Sequence, residues 1–463
     1  MYNNIIPYYL YISSHKNMEL SKLSKTQLLI KCNEIGLSKI KSKTKKELID
    51  LLTVKNTSVN NENLNLKEYF IDLSGYTFID LFCGIGGFHQ ALNKMGAKCI
   101  LACDIDKDCR SVYKKNYGIE PVSNIKDIDE KNIDDFDILC AGFPCQAFSN
   151  GGKKKCFEDE RGLLFDEIIR IAKVKKPNFM FLENVKHILK VSNGEVIKYI
   201  KNKISTIGYK LQLFQLSPHN FGIPQQRERI YFVCVRDDIA KQKDVTDIVL
   251  PTYQGKIKFE NFLDKKEDID DKYFIKGDIL NVLEVWDEMV KKFEVGEKIS
   301  PTIMMNDAFK TYTQTEFEEF PSWKKDYITK NKPLIEKYKT QFTEWYNKHS
   351  ELLQKREIYG KLEWQTGQIK EKDSIFNHFI QIRQSGIRVK KGNYFPTLVA
   401  ISQIPIYGKE KRYITPRECA RLQSFPETFK LPEDDKKSYK QLGNSVNVDN
   451  VYTVISSTLK KYM

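Results

Sequence analysis

The chain has 463 residues, 41% hydrophobic and 29% charged, with a formal net charge of +14 at pH 7. That length allows roughly two or three domains with their own cores, and no apolar run approaches the roughly 20 residues that span a bilayer. The ten cysteines, without CxxC pairs or nearby histidine ligands, indicate neither a disulfide framework nor a zinc site, so a reducing, cytoplasmic setting without a metal is expected.

The positive balance suits a polyanion bound through phosphate neutralisation and counterion release, although a lysine-rich composition carries the same charge without a partner. The opening stretch MYNNIIPYYLYISSHKNM lacks a basic n-region and a small-residue cleavage site, so no signal peptide is expected, and Met18 offers a second start. Residues 18–55 then read as a small helical module. Ser24 with Gln27 and Thr44 with Glu47 are capping boxes, Leu28, Leu29, Cys32 and Ile35 form an apolar stripe, and lysines crowd the connection. The pair resembles a SAP module, a small DNA-binding unit; a solvated basic helical hairpin reads the same way. An Asn-rich linker, 56–74, follows.

Order sets in at Tyr76. YTFIDLFCGIGG is a short apolar strand running into a glycine turn, FHQALNKMG a helix, and AKCILACDID a second strand ending in acids. This βαβ unit predicts an α/β domain with a mostly parallel twisted sheet flanked by helices, over 75–250. FDILCAGF, NFMFLENV and RIYFVCVR continue the strands. From 251 to 385 the pattern dissolves into a stretch rich in Lys, Trp, Tyr and Glu, read as a smaller inserted domain, and regular signals return over 386–463.

Gly84, Gly86 and Gly87 let the backbone approach a ligand and aim helix N–H groups at negative charge. Position 89 is His, so the dinucleotide fingerprint fails. Asp104 closes the second strand, where an acid can bind ribose hydroxyls, and Asp80 adds a carboxylate near the turn. Two acids without a phosphate cradle suit S-adenosylmethionine, though a tight structural turn would look alike. GFPCQAFSNGG sets Cys145 after Pro144 and before a glycine-bearing loop with Lys153 and Arg161 in reach of phosphates; a lone strand-end cysteine without chemistry is the plainer alternative. Glu183 closes a further apolar strand. Arg227 and Arg229 head the next one, on one face by period two, so thiol, carboxyl and guanidinium would meet at strand ends.

The motifs DLFCGIGGF, GFPCQAFS, ENVKHI, QQRERIYFV, TPRECARLQSFP and GNSV, in that order, closely resemble the C5-cytosine DNA methyltransferases. The resemblance implies a Rossmann-like S-adenosylmethionine-dependent fold, with the insertion as target recognition domain and GNSV packed against the glycine turn. It implies Cys145 adding to C6 of a flipped-out cytosine, Glu183 stabilising charge at N3, and Arg227, with Arg229 beside it, holding the base carbonyl or the intermediate. Cofactor contacts carry onto Asp80, Phe82, Gly84, Gly86, Gly87, Asp104, Ile105, Asn124, Ile125, Pro144, Leu164, Asn444 and Ser445. Ile105 stands where many members have a tryptophan, and Asn124 where an aspartate is common. DNA contacts are expected from Gln146, Ser149, Lys153 and Arg161 on a loop that closes over the base. The implied partner is double-stranded DNA, with a monomeric modification enzyme of a restriction-modification system and its cognate endonuclease as companion. A transfer-RNA cytosine methyltransferase of the same fold, or a non-catalytic DNA binder, are the competing readings.

Overall fold

The computed structural model describes residues 70–144, 163–242, 248–400 and 403–462, with 23–28, 44, 45 and 48. The chain divides into two compact units, Met1–Asn65 and Leu66–Met463. In the first, the capping box at Ser24 is formed: its amide donates to Gln27 Oε1 at 2.8 Å, and the Gln27 amide to Ser24 Oγ at 3.2 Å. Glu47, the expected partner of Thr44, lies outside the described residues.

In the second unit, β1 (Thr77–Leu81), β2 (Lys98–Cys103), β3 (Ile138–Gly142), β4 (Phe179–Val185), β5 (Tyr209–Leu216) and β6 (Arg229–Arg236) form a six-stranded sheet in the order β2-β1-β3-β4-β6-β5. Helices α1 (Gly87–Lys94), α2 (Lys107–Tyr117), α3 (Leu163–Lys175) and α4 (Glu195–Thr206) follow the first four strands. These strands are near-continuous apolar runs because both sheet faces are covered. Period-two alternation sends Phe78, Ile138, Phe181 and Tyr231 into one core, and Ile79, Leu139, Leu182 and Phe232 into the other.

β2, β1, β3 and β4 pair in parallel, whereas β6 runs antiparallel to β4. That reversal is what brings the start of β6 to the edge where β1, β3 and β4 end. Gly142 is paired with Glu183, and Val185 with Arg229.

The insertion is built around α5 (Gly277–Val290), α6 (Ser322–Lys337) and α7 (Lys339–Lys355) and a second six-stranded sheet. Its strands are β7 (Ile299–Met304), β8 (Lys361–Trp364), β9 (Phe379–Arg383), β10 (Gly386–Lys390), β11 (Ile406–Tyr407) and β12 (Arg412–Tyr413), ordered β12-β11-β9-β10-β8-β7. This corrects one expectation. The boundary expected at 385/386 falls in the turn of the β9–β10 hairpin, where Arg383 pairs with Gly386, and the sheet continues to Tyr413. The Trp and Lys content of this stretch would suit a DNA-facing surface or a solvated helical one; against the first, Trp286, Trp345 and Trp364 are fully buried in the insertion's core, and only Trp323 is exposed.

The chain then returns through α8 (Pro416–Leu422), α9 (Asp435–Asn444) and α10 (Val448–Tyr462) to the first sheet. α10 is buried nearly all round, as a helix enclosed by the fold must be. Its Val451, Val454, Ile455 and Leu459 join the core that also holds Phe88 and Leu92 of α1.

Candidate active site

The turn between β1 and α1 is tightly made. Phe82, Gly84 and Gly86 all have positive φ, at 53°, 53° and 87°. A Cβ on Gly86 would lie 2.3 Å from the Tyr117 ring, whose hydroxyl donates to the Gly86 carbonyl at 2.9 Å. A Cβ on Gly87 would lie 2.5 Å from Val446 Cγ2 and 3.1 Å from Ser445 Oγ. The expected packing of GNSV on the glycine turn is therefore present, and it is what demands glycine at 87. Around Gly84, by contrast, a Cβ would meet nothing within 4 Å. Asp104 reaches back from the end of β2: its Oδ2 accepts the Gly84 amide at 2.7 Å and its Oδ1 the Asp106 amide at 2.8 Å. Burial raises the Asp104 carboxyl above its ordinary range, and the two amides pull it back.

Along the same strand-end edge stands Glu183, 8% exposed. Its Oε1 lies 3.0 Å from Arg229 Nε. Burial raises the Glu183 pKa, while the Arg229 and Arg227 charges lower it. A carboxyl so placed can hold or give a proton in a dry setting, with a guanidinium beside it. Next to it, Asn184 Nδ2 donates to the Phe143 carbonyl at 2.9 Å, and so fixes the backbone that enters Pro144.

Arg227 is elsewhere engaged. Its Nη1 donates to the Leu398 carbonyl at 2.6 Å, and its Nη2 to the carbonyls of Gly443 and Ser445, each at 2.9 Å. Burial and the neighbouring Arg229 charge bring its pKa down to about 9. This corrects the expectation that Arg227 holds the base. It precedes β6, where strand alternation does not yet apply, and its guanidinium ties the C-terminal segment to the sheet. Gln423 Nε2 shares the task, donating to Leu442 and Ser445 carbonyls at 2.7 and 3.4 Å.

Asp80 is a second correction. It is fully buried, with Oδ2 3.4 Å from the Tyr113 hydroxyl, and burial keeps its carboxyl well above the ordinary range. Strand alternation turns it into the covered core. The Ile125 side chain is likewise buried, and Asn124 Oδ1 accepts the Lys126 amide at 3.1 Å as a helix cap. Phe82, Pro144 and Leu164 are half-buried, Asn444 is exposed, Ser445 is buried against the turn, and Ile105 is 82% exposed. Cys145, Gln146, Ser149, Lys153 and Arg161 lie outside the described residues. The seven cysteines among the described residues are all buried. Asn184, Gln423 and Tyr117 were not singled out in the sequence. Asn184 carried the same signal as Glu183, a polar residue after an apolar run, whereas Tyr117 carried none.

The model of the C-5 cytosine-specific DNA methylases matches residues 76–460. The chain belongs to this family. The methylase is 32% identical to the type II methyltransferase M.HhaI of Haemophilus parahaemolyticus over 378 residues, covering 81% of this chain and 92% of that one. It is 33% identical to M1.ScrFI of Lactococcus lactis subsp. cremoris, covering 83% and 78%, and 32% identical to M.HpaII of Haemophilus parainfluenzae, covering 86% and 92%. A solved structure of a prophage-encoded E. coli protein, described as a DNA modification methyltransferase, shares the fold. Its TM-score is 0.52 at 22% identity, covering 83% of this chain and 99% of that one.

The methylase transfers a methyl group to C5 of cytosine in DNA, with S-adenosylmethionine as donor. The residues present fit that donor: the space above Gly84 is open, and the Asp104 carboxylate is braced beside it. No helix among the described residues is long and apolar enough to cross a membrane.

Proposed function

We propose that the methylase acts through a covalent cysteine adduct on duplex DNA, with Cys145 as nucleophile, Glu183 as the proton-bearing group and Arg229 as the carbonyl holder. The observation that carries this is the 3.0 Å Glu183–Arg229 pair on the edge where β3 ends. β3 delivers Pro144 to that edge, and Cys145 is the next residue in the sequence.

The Cys145 thiolate adds to C6, forming the S–C6 bond as the C5–C6 π pair moves towards C5. Protonated Glu183 donates to N3 and offsets the charge that reaches the ring, and Arg229 donates to the O2 carbonyl. When bound, S-adenosylmethionine supplies an electrophilic methyl on a sulfonium, which the Phe82–Gly87 turn, Asp104 and Ser445 would hold. C5 takes that methyl with the pair it gained. A base then removes the C5 proton, the freed C–H pair re-forms the C5–C6 double bond as the S–C6 bond breaks, Cys145 leaves as thiolate, and N3 returns its proton to Glu183. The target atom is out of reach inside a stack, so the base must be flipped out. The restriction-modification role, with a cognate endonuclease, rests on likeness to the type II relatives.

The test is transfer of labelled methyl to unmethylated duplex DNA and, separately, to transfer RNA, with modified sites mapped by sequencing. 5-Methylcytosine within one short DNA motif supports the proposal; label on RNA alone overturns its substrate.

A further inference from the structure

We infer that Arg110 and Tyr117, near the two ends of α2, are positioning residues for S-adenosylmethionine, each fixing one wall of its site from behind. The inference deepens the proposed function, since it rests on the reading that the Phe82–Gly87 turn and Asp104 hold the donor.

Helix geometry sets the two side chains side by side. They stand seven residues apart, about two turns, so they leave α2 on one face with about 10 Å between them along its axis. Their partners lie where β1 and β2 end. The helix itself starts firmly, because Asp106 accepts the Asp108 and Cys109 amides at 2.9 and 3.3 Å.

Arg110 holds the acid. The chain leaves the sheet after β2, and the Asp104 and Ile105 carbonyls both accept from Arg110 Nη1, at 2.9 and 2.8 Å. The Asp104 carboxylate is fixed separately, by the Gly84 and Asp106 amides. Ile105, 82% exposed, gives this stretch no packing of its own, so its carbonyl side depends on the guanidinium.

Tyr117 holds the turn. Its hydroxyl donates to the Gly86 carbonyl at 2.9 Å. Its ring is stacked on His89, with centroids 3.8 Å apart and 16° between the planes, and His89 Nδ1 lies 2.7 Å from the Tyr113 hydroxyl. The hydroxyl therefore sits on a braced aromatic base. Gly86 caps α1 without a side-chain hydrogen bond, so the tilt of its peptide sets where the first amides of α1 point.

The Tyr117 ring serves the core, but its hydroxyl and the Arg110 guanidinium fix the path of backbone beside the donor. α2 is in turn tied to the C-terminal segment. Asn116 Nδ2 donates to the Lys430 carbonyl at 3.0 Å, and the Lys430 amide to Asn116 Oδ1 at 2.8 Å. The Asp108–Lys437 pair also reaches α9, but it is solvent-exposed on both sides and contributes little.

The experiment is calorimetric titration of the full chain with S-adenosylmethionine, alongside steady-state kinetics on duplex DNA and melting temperatures. Y117F keeps the ring and loses the hydroxyl, and is expected to raise the Kd by about three- to tenfold. R110M loses a charged donor to two carbonyls and is expected to raise it by about ten- to thirtyfold. In both, kcat at saturating donor is kept. K437A is expected to leave the Kd unchanged. Should R110M fail to fold, R110K keeps the charge without the fork and is expected to raise the Kd too. An unchanged Kd in Y117F and in the Arg110 variant would overturn the inference, as would an equal rise in K437A, which marks a general loosening of α2. A fall in kcat with the Kd kept would also overturn it. D104N separates the two levels: a weakened Kd there leaves the reading of the donor site standing, whereas an unchanged one overturns that reading and the inference with it.

Discussion

Replacing Arg229 by glutamine removes the guanidinium 3.0 Å from Glu183 while keeping a polar side chain of similar reach. The side chains of the pair are only 14% and 10% exposed, so water screens it little. At 3.0 Å and an effective dielectric of about 20 the lost attraction is about 5 kcal/mol, in line with the roughly 3–5 kcal/mol typical of breaking a buried pair. Burial already raises the Glu183 pKa and Arg229 lowers it, so the variant's Glu183 stays protonated to higher pH. In the proposed mechanism protonated Glu183 is the working form, so wild-type turnover should fall as pH rises through its pKa, and in R229Q that falling limb should move to higher pH. Turnover at the optimum drops as well, because the O2 carbonyl loses its donor. Stability follows the same sign. With its folded pKa above the unfolded value, Glu183 favours folding at low pH, and R229Q loses that as pH rises. The assay is kcat against pH for wild type, R229Q and E183Q, with melting temperatures in acidic and alkaline buffer. An alkaline limb that stays in place in R229Q, or that survives in E183Q, would refute the reasoning.

Arg227→Ala should act on stability first, by about 3–5 kcal/mol, because three carbonyls lose a buried charged donor; denaturant melts check it. Gly87→Ala should raise the KM for S-adenosylmethionine more than it lowers kcat, since its Cβ meets Val446 Cγ2 at 2.5 Å and overpacking costs about 1–3 kcal/mol. Asn184→Ala leaves the Phe143 carbonyl without its 2.9 Å donor and should lower kcat with little change in cofactor KM, measured by steady-state kinetics. Cys145→Ser should cut methyl transfer by several orders of magnitude while DNA binding survives, because phosphate contacts carry much of the affinity.

The parts legible in the sequence were those where local pattern and chemistry coincide. The glycine turn, the apolar strands and Glu183 at the end of one of them all declare themselves within a dozen residues. What stayed hidden depends on distant partners. Asp80 and Asp104 look alike at strand ends, yet Tyr113 draws one into the core while the Gly84 amide holds the other at the turn. Arg227 and Arg229 are two residues apart, and only the carbonyls of Leu398, Gly443 and Ser445, more than 170 residues on, separate their roles. The second sheet was missed because β8, β9 and β10 are four or five residues long with one polar face, and β8 meets β10 across the intervening β9. Such strands leave little signal in a stretch crowded with lysines.

The central claim is that Cys145 bonds to C6 of the target cytosine while Glu183 and Arg229 hold the ring. Duplex DNA carrying 5-fluorocytosine at the target tests it, because fluorine replaces the proton that must leave C5 and so traps the adduct. Wild type with S-adenosylmethionine should give a denaturation-resistant protein–DNA complex whose linked peptide contains Cys145, and C145S should give none. A complex linked through another residue, or no complex at a site that is methylated in ordinary DNA, would contradict it.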